Sequence, residues 1–106
     1  MGNGIVRHIL LARYKDNTSD ETLQSFFNAF REMTRKIEGV VGFEYGANNS
    51  SEGMNRGLTH VMMVNFDSVQ ARDAYLPHPE HQKFVAWLTQ ADILEELLVV
   101  DYISQS

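Results

Sequence analysis

The apolar residues of this chain switch between strand-like and helix-like spacing, and the order of the switches limits the fold more than any other feature. Ile5 to Tyr14, IVRHILLARY, is rich in Ile, Leu and Val and reads as a strand. Lys15 to Thr18 is turn chemistry, and Thr18-Ser19-Asp20-Glu21 matches the Ser/Thr-x-x-Glu capping box that opens a helix. Leu23, Phe26, Phe27, Phe30, Met33 and Ile37 then form one helical stripe, which Gly39 stops. Val40 to Gly46 and Leu58 to Phe66 read as strands joined by a polar, glycine-containing loop over 47–57. Asp67 or Ser68 caps a short helix through about Tyr75. A further helical piece runs from Pro79 to about Gln90, and Leu97 to Ile103 is the last strand. The order β-α-β-β-α-β predicts an α+β, ferredoxin-like fold: a four-stranded antiparallel sheet with its helices on one face. The 106 residues are one domain's worth and no linker divides them, so 1–106 is expected to be a single domain.

The strands say more. His8, Leu10 and Ala12 share one face of the first strand, and Arg7, Ile9, Leu11 and Arg13 the other. On the third strand His60, Met62, Val64 and Phe66 alternate with Val61, Met63 and Asn65. A sheet with helices on one side and water on the other alternates apolar with polar, yet these strands are apolar on both faces. Ile9, Leu11, Val61 and Met63 therefore predict a homodimer in which two sheets pack face to face about a two-fold axis. A net charge of −5 with no Lys/Arg run argues against a nucleic-acid partner. No apolar run is long enough to span a membrane. The start MGNG shows no basic segment, long apolar segment or cleavage site, so a cytoplasmic protein is expected. The absence of cysteine excludes disulfides, thiolate metal sites and a cysteine nucleophile.

Both prolines and half of the four histidines fall in Tyr75 to Phe84, YLPHPEHQKF. Pro77 and Pro79 disfavour helix at Leu76 and His78, so the chain must leave the first helical piece near Tyr75. Pro79 suits the first position of the next helix, with His78 near its N-cap and His81 in its first turn. The positive potential there favours a neutral His81 imidazole that can accept a proton. With the Tyr75 hydroxyl nearby, this is a general-base arrangement. On the plain structural reading, His78 is a cap, His81 a surface residue and Tyr75 core filler. His8 and His60 share the parity of residues that should face the helices. They extend the candidate site into a polar pocket in an apolar shell, with Asp101 or Glu44 available to orient one of them. His78 and His81 at i and i+3 could instead share a metal with His8 or His60. But no carboxylate lies at a ligand spacing and HPxH is a weak metal signature, so no metal is expected.

The segments VRHILLARYKD, THVMMVNFDS, AYLPHPEHQKFV and LLVVDYI together make the chain resemble the stress-responsive dimeric A/B barrel (Dabb) family over nearly its whole length. The HPxHxxFV core, Pro77 aside, is the most specific part. The resemblance implies the fold reached above and a dimeric α+β barrel, in which two subunits pack their sheets together. It implies less about activity, since many members have no assigned reaction and plant members are linked to stress. One plant member, a polyketide cyclase, closes a linear chain by a cofactor-free aldol condensation, using a tyrosine and the second histidine of HPxH. By motif those positions are Tyr75 and His81, with His8 and His60 as pocket-lining histidines and Met62 and Leu76 shaping the apolar wall. The expected site is thus Tyr75 and His81 for chemistry, with His8, His60, His78, Met62 and Leu76 for binding. No cofactor is expected, and the ligand would be a small hydrophobic, aromatic or polyketide-like molecule. A non-catalytic stress-related or structural oligomer, binding without chemistry, and a cofactor-free monooxygenase-like activity of the broader superfamily stay open.

Overall fold

The computed structural model describes residues 4–105; the N-terminal reading of MGNG falls largely outside them. The chain forms β1 (Val6–Tyr14), α1 (Asp20–Arg35), β2 (Val40–Ala47), β3 (His60–Phe66), α2 (Val69–Tyr75), α3 (Pro79–Ala91) and β4 (Leu94–Ile103). The strands make one antiparallel sheet in the order β2-β3-β1-β4. This is the ferredoxin-like arrangement, with the second helix in two pieces.

Local chemistry sets the boundaries. Ser19, not Thr18, caps α1: its side chain accepts from the Thr22 amide, while the Thr18 amide is spent closing the preceding turn on the Lys15 carbonyl. β3 starts at His60 rather than Leu58, because the Leu58 amide turns back to Asn55. β4 starts at Leu94 rather than Leu97, its polar Glu95 and Glu96 lying along an edge strand where water is available. Ser68 caps α2 through the Ala71 amide. Gly39 has φ +92°, and a Cβ there would lie 2.5 Å from the Ala71 methyl. The tight passage from α1 to β2 against α2 therefore requires glycine.

On the helix side of the sheet, Phe26, Phe30, Met62, Val64, Phe66 and Tyr75 are almost fully buried. Phe26 is the hub, with ring centroids 5.7 Å from Tyr14 and Phe84, 5.2 Å from Phe27 and 5.8 Å from Phe30. On the other side, Leu98, Val100 and Tyr102 of β4 stand opposite Leu11, Ile9 and Arg7 and are 45, 57 and 47% exposed. Among the described residues nothing covers this face. Among the described residues no helix is long and apolar enough to cross a membrane.

Candidate active site

The helix layer stops short of the outer strand. Leu97 and Val99 of β4 pair with Ala12 and Leu10, so they lie on the helix side, yet they remain 39 and 52% exposed. Between them and the α2–α3 break opens a cavity of about 410 Å³. Its wall is apolar, from Leu10, Phe30, Leu76, Phe84, Val85, Leu88, Leu97 and Val99. Its polar groups are His8, Tyr75, His81 and Asp101.

The break is only partly as the prolines predict. His78, before Pro79, is extended at φ −62° and ψ 136°. Leu76, before Pro77, keeps helical dihedrals of −60° and −45°, and the helix stops there because Pro77 has no amide hydrogen to donate. Tyr75 ends α2, the His78 amide donates to the Tyr75 carbonyl, and Pro79 opens α3. His78 is the N-cap, its Nδ1 accepting from the Glu80 amide at 3.0 Å. His81 then turns back over Tyr75, with ring centroids 4.5 Å apart. Its Nδ1 lies 3.0 Å from the Leu76 carbonyl oxygen. A carbonyl only accepts, so Nδ1 carries the proton and, in the neutral ring, Nε2 holds the lone pair. Burial holds His81 below the ordinary imidazole value. The nearby His8 and His78 act the same way, and the Leu76 carbonyl opposes them. The neutral form expected from the helix terminus is thus favoured, with burial the main cause. Burial also pushes the Tyr75 phenol well above its ordinary value, so its hydroxyl stays a donor. Among the described residues that hydroxyl has no hydrogen-bond partner, and no fully buried side-chain N or O is left unpaired.

His8 is buried on β1, edge-on to Tyr75 at 5.8 Å. Its Nδ1 meets Asp101 Oδ1 at 2.8 Å. Asp101 is therefore the orienting carboxylate. Glu44 pairs with Met63 on the opposite face of the sheet and cannot reach a helix-side histidine. The other carboxylate oxygen, Oδ2, accepts from Arg72 at 2.8 Å.

The structure brings His8, Tyr75, Leu76 and His81 together. It does not bring in His60, His78 or Met62. His78 is occupied as a cap. Met62 is fully buried, with the Tyr14 hydroxyl on its sulfur at 3.6 Å, and lies beneath the core rather than at a surface of the cavity. His60 has the expected parity but stands opposite Ala12, four residues along β1 from His8, or about 13 Å at the usual rise per strand residue. Tyr14 and Phe27 pack on it at 5.4 Å, and its Nδ1 meets Thr59 Oγ1 at 2.9 Å. Burial lowers its pKa as well. It lines a different cavity of about 450 Å³ with Leu11, Met54, Val61 and Leu98. Among the described residues no three His, Cys, Asp or Glu side chains are grouped to hold a metal. Arg72 was not anticipated, although three residues before Tyr75 on a helix is the spacing that shares a face.

The architecture is that of a ferredoxin-like α+β protein with a cavity between the broken helix and the sheet edge. Within that class the chain belongs to the stress-responsive A/B barrel domain family, whose sequence model matches residues 6–104. It is 32% identical to the stress-response A/B barrel domain-containing protein HS1 of Arabidopsis thaliana, over 93% of this chain and 89% of that protein. It is 26% identical to olivetolic acid cyclase of Cannabis sativa, over 92% of this chain and 94% of that protein. Among solved structures, an Arabidopsis thaliana protein superposes with a TM-score of 0.88 at 32% identity, covering 95% of this chain and 96% of that one. Two more distant structures share the fold. The hydroxynitrile lyase of Passiflora edulis has a TM-score of 0.84 at 23% identity, covering 98 and 96%. A dimeric ferredoxin-like protein of unknown function from Thermobifida fusca has a TM-score of 0.78 at 20% identity, covering 96 and 92%. Functions among these relatives are varied or unassigned.

Proposed function

We propose that this protein binds a small, largely apolar carbonyl compound in the α2–α3 cavity and performs cofactor-free acid/base chemistry on it, of the cyclase, lyase or isomerase type. The observation that carries the reading is the tautomer of His81. Its Nδ1 is held by the Leu76 carbonyl, which leaves Nε2 a lone pair at an apolar cavity. His81 Nε2 takes a proton from a carbon next to the carbonyl. The C–H electron pair becomes the enolate double bond, and the charge that develops on oxygen is met by the Tyr75 hydroxyl as hydrogen-bond donor. His8, fixed by Asp101, orients the substrate. In a cyclisation the enolate carbon then attacks a second carbonyl of the same molecule, and the new alkoxide takes up the proton held by His81. The relationship to olivetolic acid cyclase supports this class of chemistry and does not name the substrate.

The test is deuterium uptake from heavy water at the α-carbon of methyl ketones bearing an aromatic or alkyl tail, where the uncatalysed background is slow. Enzyme-dependent uptake that disappears in His81→Ala supports the reading. Uptake equal in both proteins, or absent for every ketone that binds, removes the catalytic role.

The open sheet face supports a second part of the proposal, a homodimer through that face. Val100 lies on that face beside Ile9 and is exposed, and Val100→Arg would place a charge in the interface. Sedimentation should show a dimer for the parent and a folded monomer for the variant. A monomeric parent would refute the pairing.

A further inference from the structure

The chemistry proposed above uses His8 through Asp101 and leaves one charged neighbour without a role. Arg72 lies on α2, three residues before Tyr75. Its side chain is 24% exposed, and it bridges two carboxylates: Nε to Asp73 at 2.8 Å and a terminal nitrogen to Asp101 Oδ2 at 2.8 Å. Asp101 Oδ1 is in turn 2.8 Å from His8 Nδ1. The continuous run Asp73–Arg72–Asp101–His8 joins the helix that carries Tyr75 to the edge strand and to β1.

Asp101 has reason to need such a partner. It sits on the outermost strand, where the helices give only partial cover, and its side chain keeps 23% exposure. A carboxylate there is free to turn toward water, and holding one rotamer costs entropy. A guanidinium presents its donors in a rigid planar fork, and a charge-assisted hydrogen bond from it is among the stronger kinds. We propose that Arg72 is a positioning residue: by holding Oδ2 it fixes Asp101 against His8, and so fixes the His8 tautomer with its proton on Nδ1 and Nε2 unprotonated in the cavity wall. Its role in turnover rests on the acid/base reading above, but the tautomer does not. The other titratable groups facing His8 are Tyr75 from α2 and His81 from α3, and neither contacts its Nδ1.

Long-range proton–nitrogen spectra of the ring, taken at alkaline pH where imidazoles are neutral, read this directly and need no substrate. The parent should show one His8 tautomer, protonated at Nδ1. Arg72→Met should weaken that preference by about tenfold, so that both nitrogens move toward averaged shifts, and Arg72→Lys should restore part of it. A His8 signal unchanged in Arg72→Met overturns the proposal, even if the melting temperature falls, because Arg72 would then serve only to hold α2 to the sheet. If Arg72→Met fails to fold, Arg72→Lys and Arg72→Gln decide the point by the same spectra: graded loss supports it and an unaltered tautomer overturns it. A tautomer that shifts as expected in a protein with no deuterium-exchange activity sustains the role of Arg72 and refutes the function instead.

Discussion

His8 and His60 sit on the same face of the same sheet, each on one of the two central strands and opposite an apolar residue of the other, and they meet different fates. Over His60 the chain lays α1, an unbroken helix whose aromatic stripe brings Phe27 onto the ring, while Tyr14 closes from β1. The imidazole becomes one more ring in an aromatic cluster, with a threonine for its polar partner. Over His8 the chain lays α2 and α3, broken by two prolines. The break brings Tyr75 and His81 to a cavity and leaves the edge strand to supply a carboxylate. The continuous amphipathic helix seals the helix side of His60 with aromatic rings, and the cavity that His60 reaches opens at the strand end beneath the 48–58 loop. The broken helix instead leaves room above the sheet and turns polar side chains inward. The site is where the helix layer is discontinuous.

The sharpest way to break this contrast is to attack the sealed side. Phe26→Ala removes the hub of the aromatic cluster and should destabilise the fold by about 3–5 kcal/mol, as large-to-small core changes do. Denaturant unfolding measures it, and a loss under about 1 kcal/mol would mean that this half is not the structural one. Next in size is His81→Ala on the open side. Catalysed exchange should fall roughly a hundredfold or more, the usual worth of a general base, while unfolding shifts by no more than about 1 kcal/mol, because the ring lies at a cavity that already exists. Smaller again is His60→Phe. It should leave exchange within about twofold and stability within about 1 kcal/mol, as a ring replaced by a ring of similar size. A hundredfold loss there would move the site to the other cavity.

The smallest effect is in pH. Burial holds both His60 and His81 below the ordinary value of 6.5. Between the folded and unfolded values, the unfolded chain binds protons that the folded one refuses. Stability is therefore full above about pH 6.5 and is lost as pH falls through the folded values. Melting temperature against pH should show this acid-side loss, and His60→Phe should remove its share and leave that of His81. The acid limb of exchange activity should follow His81 alone and be unmoved in His60→Phe.

The sequence made the fold legible because each element carries its own period and its own punctuation. The stripe from Leu23 to Ile37, the break at Pro77 and Pro79, and the strand parities all point to one arrangement. Tyr75 and His81 were legible from the proline break and the helix start that follows it, and His8 as a polar group at a position whose parity should be apolar. What separates His8 from His60 was not, because it depends on how far along the strands each helix sits, and no local pattern encodes that. The choice between Asp101 and Glu44 needed the pairing of β4 with β1, which places Asp101 directly opposite His8. Arg72 was not legible because a charged residue on a short helix ordinarily faces water. Its burial depends on an edge strand almost thirty residues later.

The most direct test of the account is a melting-temperature screen against aromatic acids, lactones and short β-diketones, run on the parent, on Tyr75→Phe/His81→Ala and on His60→Phe. A ligand that binds the folded state raises the melting temperature by mass action. The expected result is a ligand whose stabilisation is weakened in the double variant and kept in His60→Phe. Stabilisation that survives in the double variant and vanishes in His60→Phe would contradict it and place the binding site beneath the 48–58 loop.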